Sequence, residues 1–330
     1  MKTRVLVLGA DGYVGRRVAA ALAASDWAEP IAAGRRAGKG GAPGRITLDA
    51  TDRWAVRNAL AEADAAVNCV AGPAPVMVAG ARALREAQDA RPGGPLRLVH
   101  FSSMAVYGSA EGPVDEGHLL NGDLGPYAAA KASAEQLLTG REEVATLRPG
   151  CIYGPGSPQW SVRIARLLRA GRIGDLGVAG DGCSNLVYID DVVAAVLAAL
   201  RAGAAGGRAY NLAMDGAPSW NDYFAAYARA LGAVPLRRIG RRRLMLETSL
   251  LAPALKIAGI AGRRIGMADL PPPIPPSLAR LWSQDIRLLS QRARDELGLS
   301  WTPLETGLRE TALAAAMAAG RGPGQPGKGG

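Results

Sequence analysis

"RVLVLGADGYVGRRVAAALAA", residues 4–24, decides how the rest of the chain is read. Residues 4–10 form a short apolar run with β-branched members that ends at a glycine turn, and 13–24 repeats apolar positions at helical spacing. Strand, turn and helix in that order give Gly9-Ala10-Asp11-Gly12-Tyr13-Val14-Gly15 a context that a lone glycine triplet lacks. Gly9 allows the tight turn, Gly12 lets backbone N–H groups approach a pyrophosphate, and Gly15 lets helix and strand pack closely. An anion held there gains from free amides and from the positive end of the helix dipole. The bland alternative is a glycine turn with no ligand, and the alternation that follows argues against it.

That alternation runs outward from residue 24. Residues 30–34 read as a strand, 52–63 as a helix, 65–72 as a strand, 76–90 as a helix and 96–103 as a strand. A helix over 127–140, a strand over 144–150 and a strand-then-helix over 186–200 continue the series. Such units imply an α/β fold, a Rossmann-like doubly wound parallel sheet with a smaller C-terminal substrate-binding lobe. The expected division is 1–155 for the nucleotide-binding domain with returning elements at 186–213, and 156–185 with 214–319 for the lobe. Residues 320–330 are almost all Gly, Pro and basic residues, which predicts a disordered tail.

Composition excludes more than it selects. A 48% hydrophobic and 21% charged content is ordinary for a globular protein. The net charge of +10 invites a nucleic-acid reading, but the basic clusters at 237–243 and 262–264 lack interleaved aromatics to stack bases. A basic surface suits phosphate-bearing small molecules or an anionic membrane equally well. Three widely spaced cysteines and two histidines leave a zinc site almost no ligands, so no metal is expected. Unpaired cysteines fit a reduced, cytoplasmic setting. The basic, then apolar, N-terminus is broken at Asp11 and reads as a first strand rather than a signal peptide.

The second strand closes on Gly34-Arg35-Arg36. A site that prefers NAD places an acid there to accept from the ribose 2′-hydroxyl. Arg35 and Arg36 instead suit a 2′-phosphate through forked, charge-assisted bonds, so NADP is favoured, with NAD the alternative. Two solvated loop arginines are the bland reading. Asp49, at the end of the third strand, could accept from an adenine amino group, while Asp52 is the better helix cap.

Residues 102–131 hold Ser103, Tyr127 and one of only five lysines, Lys131. Tyr127 and Lys131 are four apart on an expected helix and share a face. A nearby ammonium and an oxidised nicotinamide would lower the phenol's pKa and let Tyr127 exchange a proton with a substrate oxygen. Ser103 closes the fifth strand, at the edge where such sheets bind ligands, and its hydroxyl could steady the reacting oxygen.

With GADGYVG (9–15), VNCVAG (67–72), FSSMAVYG (101–108), YAAAK (127–131), LRPGCIYGPG (147–156) and VYIDDV (187–192), the chain resembles an extended short-chain dehydrogenase/reductase of the NAD(P)-dependent epimerase/dehydratase group. The resemblance spans residues 1 to about 213. It implies a catalytic set of Ser103, Tyr127 and Lys131, with Tyr127 and Lys131 also touching the cofactor. It sets Asn68 and Ala71 along the cofactor, and Pro149 and Gly150 near the nicotinamide or substrate. Asp190 and Asp191 are expected to cap a helix rather than react. Where sugar dehydratases of the group carry an Asp-Glu pair, this chain has Met104 and Ala105, which cannot transfer protons.

Two redox readings remain, a reductase using NADPH and a nucleotide-sugar epimerase with tightly held NAD; the arginines tilt towards the first. A non-catalytic NADP-binding sensor is the reading from another class. The apolar stretch 244–262 is interrupted by Glu247, Pro253 and Lys256, which argues against a membrane span. A helix covering the substrate pocket is favoured there over an interfacial helix in peripheral membrane contact. A homodimer through helices 76–90 and 127–140 is an expectation of the family alone.

Overall fold

Val5, Leu6 and Val7 retain no accessible surface. A strand covered on both faces belongs to the interior of a parallel sheet, and β1 (Thr3–Leu8) lies there in the computed structural model. Described are residues 1–36, 44–202, 206–248 and 272–320. Among them the main sheet runs β10-β7-β5-β4-β1-β2-β3, every neighbouring pair parallel. Its strands are β2 (Ala28–Gly34), β3 (Arg45–Thr47), β4 (Ala65–Asn68), β5 (Arg97–Phe101), β7 (Val144–Pro149) and β10 (Ala209–Leu212).

The chain leaves β1 for β2 and β3, then returns to place β4 on the other side of β1. Consecutive connections therefore diverge at the carboxyl ends of β1 and β4, and the crevice opened there is where doubly wound sheets take their ligands. The register sets Leu8 beside Asn68 and beside Ala33, bringing three loop starts together.

The helices are α1 (Tyr13–Ala24), α2 (Arg53–Ala61), α3 (Ala74–Asp89), α4 (Pro126–Leu138) and α6 (Ile189–Arg201), with α5 (Arg163–Arg169) in the second unit. Leu6, Leu8, Leu98 and Val144 of the sheet close a core with Val56 and Leu60 of α2, Leu84 of α3 and Leu138 of α4. Each fully buried Leu or Val contributes about 1.5–3 kcal/mol. Asp52 caps α2 by accepting from Trp54 and Ala55 N–H, an arrangement that contributes ~1 kcal/mol. Asp190 and Asp191 lie in the first turn of α6.

The first compact unit comprises Met1–Cys151, Ile189–Asp215 and Ile286–Trp301. Its last portion returns from far along the chain: β11 (Ile286–Leu288) pairs parallel with β6 (Gly112–Val114). Asn211 donates to the Val114 and Leu289 carbonyls, and Ser290 Oγ accepts from Ala213 N–H. α10 (Gln291–Leu297) follows.

The second unit comprises Ile152–Tyr188, Gly216–Asp285 and Thr302–Gly330. β8 (Cys151–Tyr153) and β9 (Leu186–Tyr188) make a two-stranded sheet, joined by α7 (Trp220–Ala230), α8 (Arg241–Leu246), α9 (Pro276–Ser283) and α11 (Leu304–Gly320). Trp220, Tyr223, Phe224 and Tyr227 recur at i, i+3, i+4 and i+7 on α7, so one face of the helix is aromatic and buried. Trp282 of α9 meets Phe224 edge-on at 5.4 Å between ring centres. Of the apolar stretch 244–262, positions 249–262 lie outside the described residues, as does the tail 321–330.

A buried ion pair ties α4 to the sheet. Arg148 of β7 donates through Nε to Glu135 at 2.9 Å, and both side chains are nearly sealed from water. Arg148 also donates to the Tyr107 hydroxyl at 2.8 Å, which in turn donates to Asn211 Oδ1 at 2.6 Å. Removing one partner strands the other charge, so Glu135→Met is expected to lose about 3–5 kcal/mol in urea unfolding. The double variant Glu135→Met/Arg148→Met should recover most of that loss. A single variant within 1 kcal/mol of the parent would contradict this account.

Candidate functional site

The turn after β1 is built for close approach. Gly9 has φ +77, and a Cβ on it would lie 2.9 Å from the Cys69 carbonyl. A Cβ on Gly15 would stand 2.2 Å from the Gly9 oxygen, so only glycine lets α1 descend onto the turn. Gly12 N–H donates back to Gly9 O at 2.9 Å and begins α1 with no side-chain cap. The first amides of α1 are thus left to whatever anion lies before them. Tyr13 turns its hydroxyl inward, where it has no partner among the described residues; burial pushes its pKa up to about 12, while the Arg17 guanidinium sits 4.7 Å over its ring. Val14, half-buried beside it, completes the turn.

At the end of β2, a Cβ on Gly34 would collide with Asp11 Oδ2 at 2.2 Å. The absence of that Cβ lets the Asp11 carboxylate lie across the strand end, where Arg45 of β3 pairs with it. Arg45 also donates to the Arg36 carbonyl at 3.3 Å. Arg35 and Arg36 stay exposed immediately beyond. One guanidinium, that of Arg45, therefore answers the Asp11 carboxylate, while Arg35 and Arg36 follow directly on the strand end. Sequence reading named Arg35 and Arg36 and missed Arg45, whose only signal is its place as the first residue of the strand beside β2.

Asp49 closes its own turn, accepting from Thr51 N–H at 2.9 Å and Thr51 Oγ1 at 2.8 Å. Those bonds, with the nearby Arg35, hold its carboxyl below the usual range.

Asn68 and His100 stand directly opposite in the β4–β5 register. Asn68 Oδ1 accepts from Val70 N–H at 3.1 Å, so its amide nitrogen faces His100 Nδ1, also at 3.1 Å. The ring proton then belongs on Nε2. Burial and the neighbouring Lys131 push His100 down to about 3, which keeps it neutral. Sequence reading did not single out His100; a lone histidine inside an apolar strand carries little signal. Ala71 lies exposed beyond β4, whereas Pro149 is buried at the end of β7.

Ser103, Tyr127 and Lys131 come together. Ser103 follows β5 and caps a short 3-10 turn, Met104–Tyr107, by accepting from Ala105 N–H at 3.2 Å. The same hydroxyl lies beside the Tyr127 phenol, where it eases ionisation of that group. Desolvation nevertheless raises the phenol above its ordinary value, although the residue keeps 49% of its surface open. One turn further along α4, Lys131 Nζ donates to the Phe101 carbonyl at 2.8 Å. Burial lowers Lys131 to about 8, against the opposing pull of the Glu135 carboxylate. The arrangement is a phenol protonated at neutral pH, a hydroxyl beside it and a buried ammonium one turn away, in the same unit as the glycine turn after β1.

A doubly wound sheet with that glycine turn at its switch point defines a dinucleotide-binding enzyme class. The chain belongs to the NAD dependent epimerase/dehydratase family, whose family model matches residues 5–213. It is 29% identical over 203 residues to the 3beta-hydroxysteroid-dehydrogenase/decarboxylase isoform 1 of Arabidopsis thaliana, covering 56% of this chain and 44% of that protein. The chain thus spans less than half the length of that plant relative. It is 28% identical over 256 residues to the dTDP-4-dehydrorhamnose reductase of Mycolicibacterium smegmatis, covering 72% of each. The structure of human epimerase family protein SDR39U1 with NADPH superposes with a TM-score of 0.70 at 19% identity, over 94% of this chain and 99% of that one. At that identity the likeness is one of fold.

The glycine turn makes a direct prediction. Gly15→Ala should lower dinucleotide affinity tenfold or more and destabilise the fold by about 1–3 kcal/mol, because the backbone that it strikes cannot step aside. Gly240→Ala, which meets open space, should change neither. Isothermal titration and thermal melting read both effects, and an unaffected Gly15→Ala would remove the close-approach argument.

Proposed function

We propose that this chain is a reductase that moves hydride between NADP(H) and a carbonyl or secondary alcohol, with Ser103, Tyr127 and Lys131 as its catalytic residues. The observation that carries the reading is Lys131 Nζ held on the Phe101 carbonyl at 2.8 Å, which sets Tyr127, one turn earlier on α4, beside Ser103 just past the end of β5. Arg35 and Arg36, exposed just past β2 where Arg45 bonds the Arg36 carbonyl, support a 2′-phosphate and hence NADP. The glycine turn, in which Gly9 and Gly15 leave no room for a Cβ against neighbouring backbone and Gly12 begins α1 without a side-chain cap, fits a pyrophosphate on the α1 amides. Asp11, Tyr13, Val14, Asp49, Asn68, Ala71 and Pro149 would complete the cofactor's surroundings.

When bound, the reduced nicotinamide supplies the hydride. Tyr127 gives its proton to the substrate oxygen as the carbonyl becomes an alcohol, and solvent restores it. Ser103 shares a hydrogen bond with that oxygen as charge gathers there. Lys131 favours the phenolate that proton transfer leaves behind. The setting would be a reduced, cytoplasmic one, which suits free cysteines. Pairing of two copies through α3 and α4 is part of the same proposal.

One observation favours a second reading, an epimerase that retains NAD: the Asp11 carboxylate beside Gly34 could accept from a ribose 2′-hydroxyl. Its pairing with Arg45 weakens that case.

In the reductive direction both proton-bearing groups must stay protonated. Tyr127 is raised and Lys131 sits near 8, so kcat/KM should be level below about pH 8 and fall above it as Lys131 loses its charge. Tyr127→Phe should lose about 10²–10⁴ in kcat while still binding NADPH. Steady-state rates with a panel of ketones and aldehydes test both. A Tyr127→Phe enzyme with undiminished turnover, or a rate climbing through pH 9, would sink the assignment, and binding without any turnover would favour the sensor reading.

A further inference from the structure

Five arginines, Arg237, Arg238, Arg241, Arg242 and Arg243, are exposed within seven residues of the second unit. Large aliphatic side chains stand exposed among them: Val178, Val234, Met245 and Leu246 keep between 52% and 85% of their surface. Water-facing apolar groups scattered singly need no explanation. Four of them grouped with five cations do.

The group is held in place rather than trailing. Asp175 N–H donates to the Arg237 carbonyl at 3.0 Å, and Ile239 N–H donates to the Asp175 carbonyl at 2.7 Å. The chain at 237–239 is therefore laced to the segment that precedes Val178. A Cβ on Gly177 would lie 3.8 Å from an Arg238 terminal nitrogen, which sets that guanidinium beside Val178. Arg243 donates to the Gly171 carbonyl at 3.0 Å, behind the carboxyl end of α5. Leu244 is buried and anchors α8, which turns Arg241, Arg242, Met245 and Leu246 outward. Pairs 241/245 and 242/246 share faces of the helix, so each cation has an aliphatic neighbour.

Among the described residues, little acid balances these charges. The Asp175 carboxylate reaches Arg238 only at 4.0 Å. Glu247 is buried and committed to Arg172, with Arg172 Nε donating at 2.9 Å.

We propose that this surface, 234–246 with Val178, docks the protein on an anionic lipid bilayer. Cations interleaved with aliphatic side chains match an interface that offers negative headgroups and, just beneath them, hydrocarbon. A nucleic acid would use the arginines but leave Val178, Val234, Met245 and Leu246 with nothing to gain, and no exposed aromatic stands among them to stack a base. No helix among the described residues is long and apolar enough to cross a membrane, so the contact is peripheral. The proposal is independent of the reaction proposed above.

Vesicle sedimentation at 150 mM salt tests it, with phosphatidylcholine alone and with a 70:30 phosphatidylcholine–phosphatidylglycerol mixture. The full chain should bind the mixed vesicles at least tenfold more tightly than the neutral ones. R241Q/R242Q should weaken that binding roughly 30-fold, since each cation near an anionic surface contributes roughly a factor of five. M245S/L246S should weaken it about tenfold at the same net charge. Thermal melting of each variant should match the parent. Failure to bind mixed vesicles would overturn the proposal. So would an M245S/L246S variant that binds like the parent, because the surface would then be a general polyanion patch, or release of the bound protein by an equimolar DNA duplex.

Discussion

The bond from Lys131 Nζ to the Phe101 carbonyl is the constraint on which the candidate site depends. An ammonium buried to this degree needs a fixed acceptor, and the acceptor is the last residue of β5. The bond therefore sets the first turns of α4 against the end of that strand. Tyr127, one turn earlier on α4, falls beside Ser103, two residues past the strand. A flexible lysine at the surface could not fix that spacing. The same burial brings Lys131 down to about 8, so the anchoring charge is also a titrating one near neutral pH.

Around this bond, each polar group that could compete is either neutral or paired. His100 is kept neutral by burial, with Asn68 holding its Nδ1. Burial pushes the Cys69 thiol up to about 12, so it adds no anion. Glu135, one turn beyond Lys131, is committed to Arg148. The basic excess of the whole chain is likewise uneven. Arg45 answers Asp11 at the end of the second strand, whereas the five arginines of 237–243 are left facing outward.

Much of this was legible in the sequence because it is local. Short apolar runs located β1, β2, β4, β5 and β7, helical spacing located the helices between them, and Gly9, Gly12 and Gly15 marked a turn whose glycines the close contacts now explain. Tyr127 and Lys131 shared a face by spacing alone. What stayed hidden depends on partners distant in the chain. Arg45 meets Asp11 across 34 positions, and Asn68 meets His100 across 32. Residues 286–301, set by sequence in the second lobe, belong to the first unit through the β6–β11 pairing of two three-residue strands. Strands that short carry no periodic signal. Asp49 adds a local contact that its place at a strand end did not announce, its Oδ1 closing a turn with Thr51.

The account's central claim is that the strand-end arginines select a 2′-phosphate and that the cofactor exchanges with solution. Denaturing freshly purified protein and identifying the nucleotide released, then titrating the emptied protein with NADPH and NADH, tests it most directly. The account predicts NADP or an empty site, and an NADPH affinity at least tenfold above that for NADH. Stoichiometric, tightly held NAD would contradict it and return the site to an internal-redox epimerase.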